Sequence, residues 1–208
     1  MENTSYITAS CSISGNEVIK NGRLFFENQG TSVQEFLLSV YQYLGSAYPR
    51  FYKMDNLSRL GWLTTELLLR DSLAPGTYAP EDMGLLFCNR NSSLDTDIRF
   101  AETMKTMASP ALFVYTLPNI VMGEICIRHN FKGENDFFIF DTFNPGFITF
   151  YLEQLFSSGA IQAGICGWLD LIGEEYRSCL FLVERKSRGQ NLLFTEQHLQ
   201  NIYLLQHG

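Results

Sequence analysis

Four short, almost continuously apolar runs constrain this chain more than anything else in it: MGLLFC at 83–88, DFFIFDT at 136–142, AGICGWL at 163–169 and SCLFLVE at 178–184. Runs of this length read as strands of a sheet, the first two as central strands covered on both faces. Helical patterns fall between them. Ser32-Val33-Gln34-Glu35 is a capping box, continued by Phe36, Leu37, Val40, Tyr41 and Leu44 and stopped by Gly45. Asp55 caps a second helix, whose Leu57, Leu60, Leu63, Leu67 and Leu68, with Trp62 and Leu69 added, predict burial nearly all round. Strands alternating with helices at this spacing mean an α/β sheet with helices packed on it.

The remaining segments fit around that sheet. Residues 7–14 alternate, Ile7, Ala9, Cys11 and Ile13 against Thr8, Ser10, Ser12 and Ser14, which predicts a strand with one buried face. Asn21-Gly22 predicts a hairpin turn. A helix is expected near 93–107, another with Pro118 in its first turn, and a last one after Thr195. With 208 residues, no Pro/Gly/Ser linker and no repeat, residues 1–208 are expected to form one domain.

Composition removes several function classes. The charge balance of 15 basic and 22 acidic residues, with Arg185-Lys186-Ser187-Arg188 as the densest basic cluster, argues against a nucleic-acid surface. The chain has no apolar run of spanning length and no leader-like N-terminus, so a soluble cytoplasmic protein off the membrane is expected. Cys11, Cys88, Cys126, Cys166 and Cys179 are odd in number and set mostly in apolar runs, as reduced core thiols are. His129, His198 and His207 lack metal-ligand spacing, so no metal is expected. GxSxG, GxGxxG and P-loop patterns are missing, and no cofactor is implied. Asp95 with Asp97, and Glu174 with Glu175, read as solvated loop charges.

The stretch FIFDTFNPGF at 138–147 drives a strand through Asp141-Thr142 into Asn144-Pro145-Gly146 and then a helix. Many enzymes mount a nucleophile on such a turn, but Asn is also a preferred N-cap and Pro a preferred first helical residue. Pro145 biases Asn144 towards extended backbone, away from the strained conformation usual at a nucleophile elbow. The helix behind it carries Phe147, Phe150, Tyr151, Leu152, Leu155 and Phe156 over much of its circumference. Such a face needs a partner or a local lid, for which the 190–205 tail is available.

In order and spacing, FYKMDNLSRLGWLTTELLL, SPALFVYTLPNIVMGEICIRHNFKGEN and FFIFDTFNPG resemble the N-terminal half of β-ketoacyl synthases of the thiolase fold. The resemblance runs from the first strand to about Glu184, while the hairpin at 16–27 and the tail after 189 are less typical. It implies a thiolase-like half-domain: a mixed, mostly parallel five-stranded core sheet with helices on both faces, plus an added hairpin. In that family the turn carries a Cys that takes up the acyl chain. Here Thr142 matches, Phe143 replaces a small residue, and Asn144 replaces the Cys. A carboxamide forms no thioester. The family's two catalytic histidines come from a second half that this sequence does not reach.

The resemblance therefore implies a non-catalytic ketosynthase-like subunit. It would pair with a complete ketosynthase, as chain-length-factor subunits do, and shape its acyl tunnel in fatty-acid, polyene or related lipid biosynthesis. An acyl carrier protein would be met through the partner. The alternative is a stand-alone homodimer that binds an acyl chain or acyl carrier without catalysis. Asn144 is the vestigial nucleophile position. The acyl-pocket or interface candidates are Leu112, pointing towards the other subunit's tunnel, Phe113 beside it, Leu117, Phe143, Phe147 and Phe150.

Overall fold

A computed structural model describes residues 4–205, so His207 lies outside the described residues. The apolar runs all belong to an eight-stranded sheet, but the run at 136–142 forms its edge and not the central, doubly covered strand expected. In chain order the elements are β1 (Tyr6–Ser14), β2 (Glu17–Lys20), β3 (Arg23–Glu27), α1 (Val33–Leu44), α2 (Asn56–Leu69), β4 (Met83–Asn89), α3 (Leu94–Thr103) and α4 (Pro110–Phe113). There follow α5 (Ile120–His129), β5 (Asn135–Ile139), α6 (Pro145–Ser158), β6 (Ala163–Ile172), β7 (Glu175–Glu184), β8 (Leu192–Leu193) and α7 (Glu196–Leu205). The strand order is β3-β2-β1-β7-β6-β4-β5, with β8 added to β1.

The expected five-stranded core is the run β1-β7-β6-β4-β5. β4 pairs in parallel with both β5 and β6, and β7 runs antiparallel to its neighbours β6 and β1. The hairpin is no separate appendage, because β2 and β3 continue the same sheet beyond β1.

Alternation along the strands sorts side chains into two cores. Ala163, Ile165, Leu169, Leu180, Leu182, Leu85 and Phe87 face α1, α2 and α5. Cys166, Trp168, Phe181, Val183, Leu86 and Cys88 face α6 and α7. α2 is buried nearly all round, as its sequence predicts. It lies so close to its neighbours that a β-carbon on Gly61 would stand 2.5 Å from Val121 Cγ2 and 2.6 Å from Leu169 Cδ2. A side chain there would force Val121 and Leu169 to move.

Several expectations are corrected. β1 is buried on both faces, because Thr8, Ser10 and Ser12 are covered as fully as the apolar set. A register shift between Ile7 and Ala9 leaves Thr8 as an extra residue, so Ile7 joins the α6–α7 core while Ala9, Cys11 and Ile13 join the other. α3 ends at Thr103, short of 107, and α5 begins at Ile120, so Pro118 precedes the helix. The acidic pairs are not idle loop charges. Glu174 Oε2 accepts from the Val33 N–H at the start of α1 (2.8 Å), and Asp95 Oδ1 accepts from the Gly173 N–H (2.9 Å).

Asp55 ties α2 to α3. Its carboxylate caps α2 through the Ser58 N–H (2.9 Å) and accepts from Thr96 Oγ1 (2.6 Å). Burial pushes this carboxyl above the usual range, although hydrogen bonds from Ser58 and Thr96 pull the other way. An acid with a raised folded pKa contributes stability below its unfolded value, about 3.9, and loses it as pH rises through the folded value. Asp55→Asn keeps a capping side chain. It is expected to raise the urea midpoint near neutral pH but not near about pH 4, measured as urea curves at both. Gly61→Ala gains about 1 kcal/mol of helix propensity but overpacks the crossing. A net loss of about 1–3 kcal/mol is expected, read from chemical denaturation.

Candidate functional site

The connection from β4 to β5 runs over the α2 side of the sheet, where α5 buries Val121, Met122 and Ile125. The connection from β5 to β6 is α6, on the other side, burying Ile148, Leu152 and Phe156. Backbones leaving neighbouring parallel strands to opposite faces open a crevice at the strands' carboxyl ends, where α/β sheets bind ligands. A cleft of about 820 Å³ lies there, with Arg90, Asn91, Thr142, Trp168, Arg177 and Tyr203 among its walls.

Asn144 stands beside it as the N-cap of α6. Its Oδ1 accepts from the Phe147 N–H at 3.0 Å, Pro145 occupies the first helical turn, and its backbone has φ −118° and ψ 81°. The φ is negative, unlike the strained positive-φ backbone of a nucleophile elbow, while ψ falls short of the fully extended range that a following proline favours. The acceptor oxygen is committed to the helix end.

Phe143 is one of the cleft's lining residues, but it is held rigidly in the core. It is buried, stacked on Tyr203 of α7 at 4.2 Å, with Trp168 and Phe181 each at 6.4 Å. Tyr203 is held in turn by Arg177, whose Nη1 donates to its hydroxyl at 2.9 Å and whose guanidinium lies 4.8 Å from the ring centroid. Burial pushes the Tyr203 hydroxyl pKa up.

The tail supplies the lid that the aromatic helix demanded. Phe194 and Leu199 are buried against the sheet, and the Phe194 N–H donates to the Ser5 carbonyl at 3.0 Å. Glu196 lies against the first turn of α6, where a β-carbon on Gly146 would meet its carboxyl group at 3.4–3.5 Å. At the other end of α6, Arg185 Nη1 donates to the Phe156 carbonyl at 3.0 Å. Acid at the amino end and base at the carboxyl end both suit the helix dipole.

α6 is therefore far less naked than its composition suggests. Phe147 and Tyr151 pack with Phe138 and Phe140 of the β5 edge, and Tyr151 donates to Asp136 at 2.9 Å. Phe150 alone among its large residues stands well out, 62% exposed.

Leu112, Phe113 and Leu117 lie on α4 and the turn after it, on the other connection; among the described residues no ring contact joins them to the Phe143–Tyr203 group. Phe113 packs on Phe100 of α3 at 5.5 Å, and Leu112 is half-buried. Around them Leu94, Ile98, Met104, Met107, Phe113, Val114 and Leu117 are all exposed. Sequence reasoning found the second half of this patch and missed α3, whose apolar residues on the outer side interrupt a helix rich in charge. Arg177 and Tyr203 were also missed, since nothing local marks them.

The sheet has two free edges, and they differ. β3 is blunted by a register shift beside Phe25 and by Arg23 and Glu27 at its ends. β5 keeps a regular register, and its only charge is Asp136 near its start. The Leu85 N–H donates to the Glu134 carbonyl and the Phe140 N–H to the Asn89 carbonyl, so even-numbered residues face β4. By the period of two, Phe137 and Ile139 turn their N–H and C=O groups outward.

Cys88, Cys166 and Cys179 are buried thiols whose pKa burial raises. His129 Nε2 lies 2.8 Å from Glu66 Oε1, and Arg128 Nε grips the same carboxylate at 3.1 Å. His198 Nδ1 lies 2.8 Å from the Leu193 carbonyl. No metal-ligating cluster exists among the described residues, and none of their helices is long and apolar enough to cross a membrane.

No protein-family model and no curated protein matches the chain. Solved structures do. An ishigamide ketosynthase/chain length factor aligns with a TM-score of 0.62 at 18% identity, over 87% of this chain and 62% of that one. The fold is that of the ketosynthases. A type II polyketide synthase ketosynthase, solved with its acyl-carrier protein and bound to a hexaketide, gives a TM-score of 0.59 at 15% identity, over 97% and 65%. The chain thus spans less than two thirds of these two. A ketosynthase in complex with its chain length factor from Xenorhabdus doucetiae gives 0.59 at 14%, over 99% of this chain and 92% of that one. What the chain shares with them is a thiolase-like half-domain.

If Asn144 serves as a cap, Asn144→Ala is expected to cost about 0.5–2 kcal/mol of stability and Asn144→Ser to restore most of it. Thermal or urea unfolding of both variants checks this. An equal loss in the two would point to another role.

Proposed function

We propose that this chain is a non-catalytic, ketosynthase-like subunit that pairs with a complete ketosynthase and shapes its acyl tunnel. One observation carries the reading: the turn where the resemblance places the acyl-accepting Cys holds an amide spent on capping α6, with Phe143 and Tyr203 filling the space beside it. A carboxamide so occupied offers no nucleophile for an acyl-enzyme. The fold neighbours include complexes of a ketosynthase with a chain length factor, and in one of them a chain is matched over 92% of its length. That match supports a partner subunit of this size.

The regular β5 edge and the apolar α3–α4 patch supply the surface for pairing. Phe150 and Ile139, 49% exposed, would be covered with them. Leu112 and Phe113 sit where the resemblance directs a side chain towards the partner's tunnel, and bulky apolar groups close a tunnel by excluded volume. The fatty-acid or polyene context and the acyl carrier, met through the partner, complete this reading.

Co-expression with a ketosynthase encoded beside it is the test. A one-to-one complex is expected on size-exclusion chromatography with light scattering. Ile139→Pro should abolish it while leaving the subunit folded, since that N–H points away from β4. A complex that survives Ile139→Pro would remove β5 from the interface, and a homodimer indifferent to any ketosynthase would replace the reading with a self-sufficient acyl-binding protein.

The tunnel role has its own readout. Leu112→Ala and Phe113→Ala are expected to lengthen or broaden the products of the pair. Lower yield with unchanged lengths would mean that both residues only pack the interface. Asn144→Cys is expected to give no condensation by the isolated subunit and no acyl adduct by intact mass.

A further inference from the structure

β2 and β8 share one edge of β1. β2 pairs with Cys11–Ser14 and β8 with Tyr6 and Ile7, which leaves a gap at residues 8–10. The chain seals the gap with single bonds: the Gln190 N–H donates to the Thr8 carbonyl at 2.9 Å, the Asn21 N–H to the Ser10 carbonyl at 2.9 Å, and the Ser10 N–H to Asn21 Oδ1 at 2.8 Å. Outside this seal is a cleft of about 720 Å³, sharing no residue with the one beside Asn144.

The walls of this cleft run against the character of the chain, whose net charge is −7. Lys20, Arg23 and Arg188 line it, with Asp71 as the one acid. Arg188 is matched by the buried Glu184, which takes its Nε at 2.8 Å. Lys20 and Arg23 have no carboxylate within ion-pair distance among the described residues. Lys20 spends one donor on the Arg70 carbonyl that ends α2, and keeps two. Burial, with Arg70 adding to it, pulls the Lys20 pKa down, while Asp71 pulls the other way: a desolvated cation short of negative charge.

Amides complete the wall. Asn21 uses its oxygen on Ser10 and retains its NH₂ group. The Gln190 amide oxygen is buried without a partner, so no bond in the chain fixes which way that amide faces. Next to these donors Leu24 is 55% exposed and Phe25 half-buried, an apolar shelf on a polar cleft.

We propose that this cleft binds an organic phosphomonoester, its phosphate held by Lys20 and Arg23 with the Asn21 and Gln190 amides, and its organic body lying on Leu24 and Phe25. Donors converging from an ammonium, a guanidinium and two amides suit the three terminal oxygens of a phosphate better than the two coplanar oxygens of a carboxylate. Asp71 bounds the site on one side and orients the phosphate away from itself. The inference does not depend on pairing with a ketosynthase, and a failed pairing test leaves it standing.

Phenyl phosphate and inorganic phosphate, titrated by NMR at constant chloride, test it. Both are expected to bind saturably with shifts at residues 20–25 and 188–190, phenyl phosphate several-fold more tightly. Arg23→Gln, at an exposed and unpaired position, is expected to weaken both by about tenfold or more. Leu24→Ala is expected to abolish the advantage of the phenyl group alone. Lys20→Met is read with a melting curve, because Lys20 also bonds the end of α2. Absence of saturable binding, binding unaffected by Arg23→Gln, or shifts confined to the cleft beside Asn144 would each overturn the proposal. So would binding to phosphatidic-acid vesicles without binding to phenyl phosphate, which would make the cations a membrane contact.

Discussion

Burial of β6 and β7 on both faces is the constraint from which the rest of the structure follows. Neither strand has a polar side over its middle, so the chain must supply a layer above and another below. α2 provides one, and Gly61, having no side chain, lets it come close to the strands. The other layer is divided: α6 covers part of the sheet and α7 the remainder, with Phe143 and Tyr203 meeting at the seam. The supposed active-site turn sits at that seam. Its chemistry is subordinate to closing the core.

The same constraint explains which surfaces stay open. Covering both faces leaves the sheet only its edges, and the two edges are treated differently. β3 is irregular and charged, whereas β5 is regular and apolar between its flanking aspartates. Edge strands of the second kind persist where another chain covers them. The α3–α4 patch points the same way, and Asp55 and Asp95 fix its position through Thr96 and the Gly173 N–H.

Much of this was legible in the sequence because it is written in short-range periodicity. The apolar runs, the capping box at Ser32, Asn21-Gly22 and the cap at Asn144 declare themselves within a few residues of chain. What stayed hidden depends on residues far apart in sequence. The bulge at Thr8 turns Ile7 to the opposite core, and no alternation pattern marks an inserted residue. Glu174 looks like a loop charge until α1 arrives with an unpaired N–H. The stacking of Phe143 on Tyr203 joins residues 60 positions apart, and α6 reads as an unfinished surface until Phe138, Phe140 and the tail are in place.

One feature of β1 bears on how the chain reaches this state. The first strand has β7 along one edge, with Thr8 bonding to the Leu182 carbonyl 174 positions away, and β8 from later still on the other. Only β2 is local. During synthesis β1 therefore waits, hydrogen-bonded on part of a single side, until β7 and β8 have been made. Loop closure over such separations slows folding and prolongs the exposure of unpaired strand edges. The buried Glu184, gathering Thr8, Tyr78 and Arg188 at the end of β7, then joins the chain's first strand to the start of its last segment. That clasp cannot close before β7 and the segment behind it are in place.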